Sequence, residues 1–106
     1  MSDKIKIASV TSDANPQNGQ KHRSSGDFST EDVPGGFSKF YWEISGVTVP
    51  DGINFDVMRD RTGSDPVEAS NLTNGSLTDL IESRQLYIAN PRGAGSPFLV
   101  TVYATN

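Results

Sequence analysis

The chain has no cysteine, so it forms no disulfide framework and no thiolate metal site, and packing and hydrogen bonding must hold it together. It has a single histidine, His22, which together with the missing cysteines sets a structural zinc site aside. Long apolar runs are missing too. The opening Met1-Ser2-Asp3-Lys4-Ile5-Lys6 lacks the roughly 7 to 15 apolar residues of a signal-peptide core, and no later run approaches the ~20 needed to span a bilayer. The expectation is a soluble chain made in the cytoplasm, with no membrane partner. Basic residues are scarce: nine against thirteen acidic ones leave a net charge of -4, and they are spread from Lys4 to Arg92. Phosphate binding needs clustered lysine and arginine to displace counterions, so nucleic acid is not an expected partner. The one local concentration, Lys21-His22-Arg23, reads as a solvated loop tip. Only 34% of the 106 residues are hydrophobic, which limits the chain to one domain with a thin core.

What is present is a series of short alternating segments. Lys4 to Val10 alternates polar and apolar over its first half, the period of a strand with one buried face. Residues 12–36 hold two prolines, four glycines and few apolar side chains, and are expected to form a long polar loop or arm. Phe40, Trp42 and Ile44 share one face of a strand, with Lys39, Tyr41 and Glu43 on the other. Gly46 then shifts the parity, making Val47 and Val49 the next inward pair, before Pro50-Asp51-Gly52 turns the chain. Ile53, Phe55 and Val57 alternate with Asn54, Asp56 and Met58 in a strand reaching about Arg61. Val67 to Ser76 reads as polar and turn-rich, and Ser76 to Ile81 as either one capped helical turn or a short strand. Arg84 to Ala89 forms a strand that Asn90-Pro91-Arg92 breaks, and Phe98 to Tyr103 is its β-branched and aromatic partner. The pattern predicts an all-β antiparallel sandwich or jelly roll of five to eight strands, with a partly open barrel as the alternative.

Candidate chemistry is sparse. His22 stands in the polar loop beside Ser24, Ser25 and Asp27, and six residues of loop do not build a nucleophile, base and orienting acid. Asp56, Asp60, Asp65 and Glu68 are carboxylates that could line one end of a sheet, but a domain this small has little room for a cleft that perturbs a pKa. No catalytic residue and no cofactor is expected. Asp60 and Asp65 flank a glycine turn and are the calcium candidates, without the alternating ligands of an EF-hand loop. Tyr41, on the outward parity, is a contact candidate, with Asn54 and Asp56 as hydrogen-bonding partners for a ligand and Arg59, Arg61 and Arg92 as interface residues. Asn71-Leu72-Thr73 and Asn74-Gly75-Ser76 match the glycosylation pattern, which polar loops produce by chance.

From Phe37 to Ala104 the order of features resembles the bacterial pre-peptidase C-terminal domain, a small jelly-roll sandwich appended to secreted proteases. The likeness lies in Phe40-Tyr41-Trp42-Glu43-Ile44, in the aspartate-bearing Asn54-Phe55-Asp56-Val57, in Gly63 and in Leu86-Tyr87-Ile88. It continues through Gly93-Ala94-Gly95 and Phe98-Leu99-Val100-Thr101-Val102. The resemblance implies a sandwich with a binding or solubilising role. Taken with the long polar arm, the sequence leads to the expectation of a non-catalytic structural or interaction protein. Its partners would be other protein subunits, as a homo-oligomer or in a larger assembly such as a virion decoration, capsid or tail component. The alternative is a carbohydrate or small-ligand binding module, with Tyr41 as the stacking surface for a glycan.

Overall fold

Alternation in β2 (Lys39–Ser45) sets the frame: Phe40, Trp42 and Ile44 are buried on one side, while Lys39, Tyr41 and Glu43 face out. The computed structural model describes residues 4–13 and 23–106. Its other strands are β1 (Ile5–Ser12), β3 (Asn54–Arg59), β4 (Val67–Leu72), β5 (Ser76–Asp79), β6 (Leu86–Arg92) and β7 (Phe98–Thr105). β7 buries Phe98, Val100, Val102 and Ala104 in step with β2, and the first sheet runs β1-β7-β2-β5. The second runs β4-β3-β6, and every pairing is antiparallel.

The described part of the polar stretch lies along the free edge of β6, with antiparallel bridges from Arg23 to Ala89 and from Phe28 to Leu86. The second layer therefore reads 23–28, β6, β3, β4 against β1, β7, β2, β5, the strand order of a jelly roll made of two Greek keys. Backbone hydrogen bonds from Ser24 to Ile88 and in both directions between Phe28 and Leu86 make a short, irregular ladder, which hydroxyl groups supplement. Ser24 Oγ donates to the Ile88 carbonyl at 3.1 Å, the Ile88 N–H donates to Ser25 Oγ at 2.8 Å, and buried Thr30 bonds both the Ile81 carbonyl and the Ser83 N–H. Ser12, at the end of β1, meets Ser24 at 2.8 Å and ties the two layers at this edge.

One core lies between the sheets. Trp42 is at its centre, with T-shaped contacts at 6.0 Å to Phe40, 6.4 Å to Phe28 and 6.3 Å to Phe55, and its indole N–H donates to Thr78 at 2.9 Å. Phe28, one of the few apolar residues of the arm, anchors it to this core.

Several details differ from the sequence expectation. β1 continues to Ser12, and a bulge between Lys6 and Ala8 moves the inward positions from Ile7 to Ala8 and Val10. β2 stops at Ser45, so Val47 only packs partly against the core and Val49 is 65% exposed instead of facing in. β3 ends at Arg59, before the expected Arg61. Residues 67–72 form edge strand β4, whose alternation is hidden by two register shifts. Residues 76–79 are a strand, the second of the two readings the sequence left open. β6 runs through Asn90-Pro91-Arg92, because the extra residue of a bulge leaves the N–H-less Pro91 unpaired and buried. Among the described residues no helix is long and apolar enough to cross a membrane.

Candidate functional site

Asn54, Asp56 and Arg92 come together on the outer face of the second sheet. Since Phe55 and Val57 point into the core, Asp56 points away from it. Both neighbouring strands insert one residue opposite it: Phe55 and Val57 pair with Leu72 and Ala69, Asn54 and Asp56 with Arg92 and Ala89. At these two bulges Asn71 and Asn90 adopt φ of 55° and 52°, left-handed values that asparagine tolerates better than most side chains. The bulges aim donors at one carboxylate. The Asn71 backbone N–H reaches Oδ1 at 3.0 Å, the Asn90 amide reaches Oδ2 at 2.9 Å, and Arg92 Nη2 reaches Oδ1 at 2.9 Å. Arg92 also donates to the side-chain oxygens of Asn54 and Asn71. Burial pushes the Asp56 carboxyl up, but the Arg92 guanidinium, the Asn71 amide and the Asn90 side chain outweigh it and hold the group below the usual carboxylate range. The arrangement clamps β4, β3 and β6 together around an ionised carboxylate whose oxygens are already supplied with donors.

Further along the same face Met58, Tyr87 and Ala89 form a second, smaller buried cluster. The Tyr87 hydroxyl donates to Asp65 at 2.7 Å, and burial together with that carboxylate pushes the phenol up to about 12. Arg23 stacks 4.0 Å above the Tyr87 ring and pairs with Asp27 at 2.7 Å and Asp60 at 2.5 Å. An open cavity of about 410 Å³ lies here, lined by Arg23, Arg61, Asp65 and Tyr87 among others. Of the calcium candidates, Asp60 faces Arg23, while Asp65 takes the Tyr87 hydroxyl and the Arg61 backbone N–H. No group of three or more His, Cys, Asp or Glu side chains placed to hold a metal occurs among the described residues. Arg59 pairs with Glu68 across β3 and β4 at 2.9 Å, and Arg61 is exposed. His22 and Lys21 lie outside the described residues.

Tyr41 is on the other side of the molecule, on the outer face of the first sheet, so it does not share a ligand site with Asn54, Asp56 or Asp60. Register places Lys6, Tyr103, Tyr41 and Leu77 in one row across four strands. The two tyrosine rings are 6.1 Å apart, and the Lys4 ammonium sits 4.5 and 4.8 Å from their centroids. Tyr103 donates to Glu43 at 3.0 Å; that bond, with burial, raises its phenol. Leu77, at the end of the row, is 58% exposed.

Comparison with protein-family models, curated proteins and solved structures finds no match. Tyr103 was legible in the sequence, because an inward Val100 and Val102 put it outward with Tyr41. Asn71, Asn90, Tyr87 and Arg23 were not, since bulges and a strand-like loop carry no two-residue period.

Proposed function

We propose that the chain is a non-catalytic interaction subunit of a larger assembly, such as a virion decoration, capsid or tail component, and that it holds its neighbours by surface contact rather than by chemistry. The observation that supports this most directly is the outer face of the first sheet. Two partly exposed tyrosines stand there in a row that ends in a leucine 58% exposed, and aromatic residues are among the types that populate protein interfaces. The carboxylates that catalysis would draw on are engaged instead: Asp56 with Arg92, Asp60 with Arg23, Asp65 with Tyr87 and Glu68 with Arg59. Jelly rolls serve both in viral capsids and in lectins, so architecture alone does not separate assembly from sugar binding. The Tyr41–Tyr103 pair supports a glycan platform as the second reading, though Lys4 already covers both rings and Asn54, Asp56 and Asp60 are on the far face.

Light scattering of the full chain over a range of concentrations tests the first reading. A mass that climbs with concentration is expected, and a monomer at every concentration would remove self-assembly. Glycan-array binding that disappears in Tyr41→Ala would replace assembly with the second reading.

A further inference from the structure

We propose that the outer face of the first sheet docks a second copy of this chain, which presents to it the acidic end formed by Glu31, Asp32 and Glu82. The inference rests on the assembly reading above and names its partner and its contact.

Charge is segregated over the surface. All three lysines among the described residues, Lys4, Lys6 and Lys39, belong to this face, and they outnumber its two carboxylates, Glu43 and Asp79, on a chain of net charge -4. The arginines stand elsewhere: Arg23, Arg59 and Arg92 pair with Asp60, Glu68 and Asp56 on the second sheet, Arg84 pairs with Glu31, and Arg61 is exposed beyond the end of β3. What remains on the first sheet is a mobile type of cation laid over tyrosine rings. Lys4 covers Tyr41 and Tyr103, and Lys6 stands across from Tyr103.

The complementary surface is on the same molecule. Thr30 fastens the loop that carries Glu31 and Asp32 to the loop that carries Glu82, through the Ile81 carbonyl and the Ser83 N–H. Three exposed carboxylates therefore crowd one end of the sandwich against the single guanidinium of Arg84, whose pKa is raised by Glu31 first and also by Asp32. A sheet face and a loop end are different patches, so their contact is heterologous. It continues from copy to copy and closes into a ring or grows as a filament, according to the rotation it imposes. Exposed charges steer such a contact and set its register, and the apolar Tyr41, Tyr103 and Leu77 provide the area removed from water.

Two charge-reversed variants of the full chain test this, K4E/K6E on the face and D32K/E82K on the end. Glu31 is left intact because it holds Arg84, and circular dichroism checks that each variant is folded. Wild type is expected to associate at low salt and to dissociate in about 0.5 M sodium chloride, where exposed charges are screened within a few ångströms. Each variant alone should need about tenfold more protein to associate. Mixed, they should associate again at wild-type concentrations, because the intact end of one variant meets the intact face of the other and the reversed face and reversed end are once more opposite in charge. Association of either variant at wild-type concentrations, or no complex on mixing, overturns the contact and leaves the assembly reading standing. A wild type that is monomeric throughout overturns both.

Discussion

Asp56 shows how much of this structure depends on one side chain. Its carboxylate takes a backbone N–H from β4, a side-chain amide from β6 and the Arg92 guanidinium, so a neutral replacement weakens three contacts at once. Asp56→Asn is expected to cost about 1–3 kcal/mol in urea unfolding at neutral pH. The pH dependence has a definite sign. The folded-state pKa is depressed, so the stabilisation is fully present above the unfolded value of about 4 and is lost as pH falls through the lower folded value. The gap between wild type and Asp56→Asn should thus be constant from neutral pH down to about 4 and close below it. A gap that stays open in acid would mean that the carboxylate's charge is not what the bulges are built around.

At the scale of elements, the edge of β6 is held by a few backbone hydrogen bonds from residues 24–28 together with serine hydroxyls. Ser25 Oγ accepts the Ile88 N–H, and Ser25→Ala leaves that amide without its partner at a cost of about 1–3 kcal/mol. Hydrogen exchange should report it: the Ile88 amide is expected to lose protection, while Val100 and Val102, in the middle of the first sheet, keep theirs. The turns make a second prediction. Gly93, which ends β6, has φ 77°, and a methyl group built on it would stand 2.2 Å from the Gly52 carbonyl oxygen. Gly93→Ala is expected to destabilise by about 3 kcal/mol, combining left-handed strain with a backbone clash. Gly63→Ala, with a similar φ but open space around it, should cost about 1 kcal/mol in the same thermal melts.

For the whole molecule, one core spans both sheets, with Trp42 touching aromatic rings from β2, β3 and the 23–28 segment. Unfolding should be a single cooperative transition in which indole fluorescence and far-ultraviolet circular dichroism coincide, and Trp42→Phe, which removes the chain's one indole, should lower the midpoint seen by circular dichroism without splitting it. Separate transitions would mean that the two layers fold independently. The sequence by itself determined the frame. Alternation in Phe40-Tyr41-Trp42-Glu43-Ile44 and in Phe98 to Tyr103 marks the central strands, because a half-buried strand must repeat every two residues. It also put Tyr41 on an outer face. The tertiary structure decided what has no such period. Bulges beside Asp56 and Val57 scrambled the pattern of β4 and carried β6 through a proline, and backbone bridges backed by serine hydroxyls turned part of a polar loop into the eighth element of the jelly roll. The same holds for the surface, where Asp56 joined Arg92 from 36 residues away and Tyr41 joined Tyr103 from the far end of the chain. Side-chain partners at that separation are chosen by strand order and register, which local periodicity does not encode.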